Sequence, residues 1–201
     1  MWRLIDLEYH ISVPTKDVSH LKVGDIVWIN GEMYTLRDMA HRRLRSLQER
    51  NIAPPFDLEG ACIYHAGPIA WKVEGGWVIC SIGPTTSGRM SALLEATLSA
   101  GAKLIVGKGG FEPPFDDLFR EYSSTYLSFV GGAGVIAASS VVKVKDVYWM
   151  DLGIPEAVWH IEVKNFGPCI VSIDAMGENL YTTVHERARN FMKDYNKKRK
   201  V

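Results

Sequence analysis

The chain has 201 residues, 47% of them hydrophobic, with 23 basic and 23 acidic side chains and a formal net charge of zero. That length and apolar content suit a single domain over residues 1–201 with a full core, and the balanced charge argues against the basic face that nucleic acid requires. No apolar run reaches the length of a membrane span, Met1-Trp2-Arg3-Leu4-Ile5-Asp6 lacks the apolar stretch of a signal peptide, and Cys62, Cys80 and Cys169 are too scattered for a disulfide framework or a close-spaced metal motif.

The expectation is a cytoplasmic protein that meets neither nucleic acid nor membrane. Residues 1–20 partly alternate and read as an N-terminal extension or edge strand. Residues 25–30 form a short strand, and Asn30-Gly31 is a hairpin signal that begins a return through Met33-Tyr34-Thr35. An Arg-rich helix follows over residues 36–50, opened by a capping box, Thr35 to Asp38. Arg37 and His41 share one face of that helix, as do Asp38 and Arg42. A Pro-Pro loop leads to a buried strand at residues 60–67, and Trp71 to Trp77 is a second hairpin turn.

The stretch Gly83-Pro84-Thr85-Thr86-Ser87-Gly88-Arg89 joins a strand-like segment, residues 77–82, to a helical pattern, residues 90–100. Pro84 ends the strand, and Thr86 or Ser87 suits an N-cap. A helix start offers unpaired N–H groups and partial positive charge, which favour an anion. Three hydroxyls and an arginine sit at that point, although an ordinary capped turn needs several of the same residues. Further on, strands are expected at residues 103–107, 126–130, 141–147, 160–163 and 169–174. Helices are expected at 116–123, 131–140 and 180–192, with a turn or short helix at 154–159 and a basic, frayed tail at 193–201.

Two glycine motifs are rejected. Gly107-Lys108-Gly109-Gly110 has the wrong spacing for a P-loop and puts Gly109 where a Mg²⁺-binding hydroxyl belongs, yet Lys108 ends a buried strand and is placed to meet an anion. Gly132-Ala133-Gly134-Val135-Ile136-Ala137 fits a dinucleotide fingerprint, but no full crossover helix fits before Val141. The order of elements points to an α/β fold with a mixed sheet and flanking helices.

Six blocks together resemble the β subunit, or C-terminal domain, of the iron–sulfur (class I) fumarate hydratases and the L-tartrate dehydratases. They are Tyr34-Thr35-Leu36-Arg37-Asp38-Met39-Ala40-His41, Tyr64-His65-Ala66-Gly67-Pro68, Gly83 to Met90, Gly107-Lys108-Gly109-Gly110, Gly131-Gly132-Ala133 and Gly153-Ile154-Pro155-Glu156-Ala157-Val158-Trp159. The resemblance implies a swivelling β/β/α domain and a partner α subunit whose three cysteines hold a [4Fe–4S] cluster; this chain's cysteines show no cluster motif of their own. It implies a hetero-oligomer, with a homodimer open to the isolated chain. Its implied reaction is reversible hydration of fumarate to (S)-malate; L-tartrate dehydration and a non-catalytic carboxylate-binding scaffold are the alternatives.

By position, the resemblance makes Arg37, Thr86, Arg89 and Lys108 the groups that bind the dicarboxylate, and Thr85, Asp38 and His41 the catalytic set. Thr85 falls at the family's proposed base, with Asp38 and His41 orienting the shell. The chemistry agrees with the residue types. Loss of a proton beside a carboxylate builds negative charge there, and fixed cations stabilise it. Arginine suits this because its fork can grip a carboxylate with two hydrogen bonds.

Overall fold

A computed structural model of the chain describes residues 7–198. Seven strands form one mixed sheet: β1 (Glu8–Val13), β2 (Ile26–Thr35), β3 (Cys62–Tyr64), β6 (Leu104–Gly107), β7 (Thr125–Ser128), β8 (Val141–Tyr148) and β9 (Val158–Ile173). Between them lies a separate hairpin of β4 (Ile69–Val73) and β5 (Gly76–Ser81). The sheet order is β1-β2-β3-β6-β7-β9-β8, and β2 also pairs antiparallel with β9. That extra pairing closes β2, β3, β6, β7 and β9 into a small barrel.

Alternation explains the two-sided burial. Cys62, Tyr64, Leu104, Val106 and Leu127 point to the barrel interior with Trp159, Ile161 and Phe166. Their neighbours Ile63, Ile105 and Tyr126 point outward, against Leu36, Leu44, Leu94, Leu98 and Phe119. A two-residue period in short, wholly buried strands requires cover on both faces. The outer cover comes from α1 (Asp38–Glu49), a 3₁₀ turn at Ser87–Leu93 that runs into α2 (Leu94–Ser99), and α3 (Asp117–Glu121). Helix α4 (Gly134–Ser139) packs by β5, and α5 (Leu180–Lys198) follows β9.

The architecture is the expected α/β swivelling type, with local differences. The Asn30-Gly31 hairpin does not form. β2 runs unbroken from Ile26 to Thr35, because β1 and β9 hold its two edges extended. Gly31 sits at φ 103 at a register shift, and a Cβ there would stand 2.2 Å from the Val13 carbonyl oxygen. The strands expected at 160–163 and 169–174 are one strand, β9, with its irregularity near Asn165 at φ 51. Helix α5 continues to Lys198, so the tail expected to fray from Lys193 is helical that far.

Candidate anion-binding site

The 83–89 segment is laced between two turns. Pro84 bridges Ala66, and Thr86 bridges Lys108. The Thr85 amide donates to the His65 carbonyl at 2.7 Å, the Ser87 amide to the Lys108 carbonyl at 2.9 Å, and the Lys108 amide to the Thr85 carbonyl at 3.2 Å. These bonds hold the ends of β3 and β6 and the loop side by side, at the strand C-termini where open α/β sheets place ligands.

The hydroxyls are used sideways and not as caps. Thr86 occupies the N-cap of the 3₁₀ turn without a side-chain cap bond; its Oγ1 accepts from Lys108 Nζ at 2.8 Å. Ser87 is fully buried, its Oγ 2.9 Å from His65 Nδ1 and accepting from the Tyr126 hydroxyl at 3.0 Å. Gly107 admits it, since a Cβ there would lie 2.0 Å from Ser87 Oγ. Arg89 NH2 donates at 2.8 Å to both Thr85 Oγ1 and Asp38 Oδ2. The basin is open: the Arg89 side chain is 47% exposed and that of Asp38 30%.

The expected capping box is replaced. Thr35 is buried and its hydroxyl joins strands, accepting from the Trp159 amide at 3.0 Å. Arg37 is the N-cap of α1 and makes no side-chain cap bond. Asp38 lies in the first turn, where a carboxylate complements the helix dipole, and reaches across to Arg89. Arg37 lies along Gly67, where a Cβ would be 2.8 Å from both its Cδ and NH1. Gly67 adjoins Ala66, the partner of Pro84, so Arg37 borders the same turn as the 83–89 loop. Arg37, Asp38, Thr85, Thr86, Arg89 and Lys108 are thus linked through contiguous contacts.

His41 stands apart. It is fully buried beneath the basin, its Nδ1 2.9 Å from Thr97 Oγ1, and its ring meets His65 edge-on at 5.0 Å between centroids. Burial lowers the His41 pKa to about 4, against a small opposing pull from Asp38. Burial, then the neighbouring His41, also carries His65 well below its ordinary value. Both are neutral imidazoles, and both leave Nε2 without a partner.

Sequence reasoning gave no role to Glu156, which the structure puts at Arg37. Its Oε1 is 3.2 Å from Arg37 Nε, and its Oε2 accepts from the Met39 amide at 2.9 Å. The Arg37 contact is an ion pair off the N–H axis, since Nε has no aligned acceptor. The signal available was the Gly153-Ile154-Pro155-Glu156 block, but its partner lies more than a hundred positions earlier in the chain.

The cysteines do not fit an iron–sulfur cluster. Cys62 and Cys169 are buried in the barrel, where burial pushes both thiols far up, and Cys80 on β5 donates to the Ile69 carbonyl at 3.4 Å. Among the described residues, no group of three or more His, Cys, Asp or Glu side chains could hold a metal ion. No helix among them is long and apolar enough to cross a membrane.

A small closed barrel with an open basin of cations and hydroxyls at its strand ends defines an α/β swivelling domain with a candidate anion-binding site. The comparison with known proteins names its kin. Residues 2–184 match the profile of the Fumarase C-terminus family, and the chain belongs to that family. A protein of Methanocaldococcus jannaschii that carries the provisional name L(+)-tartrate dehydratase subunit beta is 46% identical over 184 residues, 90% of this chain and 94% of that one. The L(+)-tartrate dehydratase subunit beta of Escherichia coli K12 is 42% identical over 169 residues, 84% and 83% of the two chains. A Geobacillus stearothermophilus protein provisionally named fumarate hydratase class I is 36% identical over 186 residues, 92% of this chain but 35% of that longer one.

Proposed function

We propose that this chain is the β subunit of a two-subunit hydro-lyase of the L(+)-tartrate dehydratase type. The observation that carries the site's part in the reading is Arg89 NH2 donating to Thr85 Oγ1 and Asp38 Oδ2 at once. The choice of tartrate over fumarate rests on the relatives, which match this chain over most of their own length. In this reading the [4Fe–4S] cluster sits on the partner α subunit, where it supplies Lewis-acid chemistry. The partner also closes the open basin and excludes water, which strengthens the charge interactions inside it.

The chain's own residues divide the work. Each paired-donor edge of a guanidinium includes NH2. Both NH2 hydrogens of Arg89 are taken, by Asp38 and Thr85, so Arg89 keeps only single donors for substrate. Among the described residues, NH1 and NH2 of Arg37 carry no ion-pair partner, so its outer edge is the better clamp for a substrate carboxylate. Lys108 contributes a point charge beside Thr86 Oγ1. The Arg89 cation donating to Thr85 Oγ1 favours the deprotonated form of that hydroxyl. The alkoxide, formed by release of the hydroxyl proton to solvent before the basin closes, takes the proton leaving the carbon next to a carboxylate, and the cations of the basin stabilise the negative charge that develops there. Asp38 fixes the Arg89 guanidinium, and His41 supports the helix that carries Asp38.

The test is co-expression with the cluster-bearing partner, anaerobic purification, and assay with L(+)-tartrate, fumarate and malate. Tartrate should give the highest kcat/KM. A second reading, fumarate hydration, is favoured by the 36% identity to the Geobacillus protein; a fumarate kcat/KM above that for tartrate would establish it instead. Absence of turnover with all three substrates in a cluster-loaded complex would leave the carboxylate-binding scaffold.

A further inference from the structure

We propose that Glu156 is a positioning residue for substrate binding: it locks Arg37 from behind and so presents the outer guanidinium edge to a carboxylate. The inference rests on the reading above that Arg37 binds substrate.

Glu156 is itself held firmly. Its turn closes through the Glu156 and Ala157 amides, which donate to the Gly153 carbonyl at 3.0 and 2.8 Å. The indole of the buried Trp159 donates to the Ile154 carbonyl at 2.9 Å. The Thr35 hydroxyl donates to the Ala157 carbonyl at 3.4 Å, which ties the turn to the end of β2. The mount fixes where the Glu156 side chain begins, and its contacts with Arg37 and the Met39 amide fix where its carboxylate ends.

Its two oxygens do separate jobs. Oε2 accepts from the Met39 amide at 2.9 Å, one of the first-turn donors of α1 that lack intrahelical partners. The N-cap residue leaves that amide unsatisfied, so Glu156 caps the helix from a distant segment. Oε1 faces Arg37 Nε at 3.2 Å. Its negative charge is therefore shared between a helix N-terminus and a guanidinium, and Arg37 keeps attraction for a second carboxylate.

Gly67 completes the vice. A Cβ there would stand 2.2 Å from the Pro155 carbonyl oxygen and 2.8 Å from Arg37 Cδ and NH1. Arg37 thus runs in a slot between the 153–157 turn and a residue that must lack a side chain. A long cation in a slot, with a carboxylate oxygen 3.2 Å from its Nε, loses little freedom when a second carboxylate arrives at NH1 and NH2.

The experiment uses the assembled complex and four variants: Arg37→Ala, Glu156→Ala, Glu156→Gln and the Arg37→Ala/Glu156→Ala pair. Glu156→Ala should raise the KM for the dicarboxylate by about ten- to a hundredfold, the scale of one charge-assisted hydrogen bond lost between a displaced Arg37 and the substrate carboxylate, with kcat changed much less. Glu156→Gln separates positioning from capping. Its amide oxygen still accepts the Met39 amide, so the melting temperature stays near wild type, but it has no charge to hold Nε and KM still rises. The paired variant should match Arg37→Ala alone, because the two residues act as one unit. Wild-type KM in both Glu156 variants, or additive effects in the pair, would overturn the inference while leaving a raised KM in Arg37→Ala to support the functional reading. Wild-type KM in Arg37→Ala would overturn Arg37's place in that reading, and this inference with it.

Discussion

Thr85 and Arg89 are four residues apart, across the start of the 3₁₀ turn, and share a single 2.8 Å hydrogen bond. Lysine at 89 keeps the charge but is shorter and compact, so it cannot reach Asp38 and Thr85 together. In the assembled enzyme, Arg89→Lys should lower kcat/KM by about ten- to a thousandfold, mostly through kcat, since the bond to Thr85 matters most as charge builds. Stability should move by at most about 0.5 kcal/mol, because the side chain is half exposed and its ion pair is screened. Thr85→Ser, which keeps the hydroxyl, should stay within about tenfold of wild type. Thr85→Val, near in shape, should lose about a hundred- to ten-thousandfold, the range of general base catalysis. Steady-state kinetics on the three variants decide it, and wild-type rates in Thr85→Val would remove Thr85 from proton transfer. The residues that meet around the basin stand in motif blocks that the sequence displays, and the structure brings them together. The contrasting pairing of the two arginines was not legible, because it depends on Asp38 and Glu156, whose partners lie far away in the chain.

The 83–89 loop is positioned as an element by β6 and the β3 turn, and Gly107 is where that dependence is most exposed. Its φ is not in the left-handed region, so Gly107→Ala tests space and not backbone strain. The added methyl meets Ser87 Oγ at 2.0 Å and the Tyr126 hydroxyl at 3.3 Å. Ser87 has no room to retreat, being fully buried between His65 and Tyr126. Gly107→Ala should cost about 1–3 kcal/mol, the usual overpacking penalty, and displace Thr85 and Thr86, so activity should fall further than stability. Ser87→Ala alone should be milder, and in the Gly107→Ala background it should recover part of both losses. A thermal melt and an assay of the three variants suffice; no recovery in the double variant would refute the packing account. The sequence marked this stretch as a strand–turn–helix junction correctly, but the N-cap it offered, Thr86 or Ser87, makes no side-chain cap bond. Capping is a local rule; Thr86 answered instead to Lys108 just beyond β6, Ser87 to His65 and to Tyr126 on β7, and Thr85 to Arg89.

For the whole molecule, the order of strands and helices made the α/β class legible, and the β4–β5 hairpin appeared where Glu74-Gly75-Gly76 placed it. Barrel closure was not legible, because it depends on β9 pairing with both β2 and β7 across the chain. The same long-range pairing overrode the Asn30-Gly31 turn signal. Beneath the basin, His41 on α1 and His65 at the end of β3 meet in one buried contact, joining the outer helix layer to the barrel. Their neutrality makes that joint sensitive to pH. In the folded chain His41 protonates only near pH 4, whereas in the unfolded chain it does so near 6.5. Between those values the unfolded state binds more protons, so stability rises with pH. The contribution is complete above about pH 6.5 and is lost as the pH falls toward 4. At about 1.4 kcal/mol for each pH unit, His41 alone accounts for on the order of 3 kcal/mol across that window, and His65 adds to it with the same sign. Melting curves from pH 7.5 down to pH 4.5 should show this as a falling midpoint. Asparagine can replace the Nδ1 hydrogen bond without titrating, so the His41→Asn/His65→Asn chain should melt lower at neutral pH but with a flatter dependence below pH 6.5. Parallel curves for wild type and variant would mean that carboxylates elsewhere carry the acid sensitivity, and that the buried pair does not.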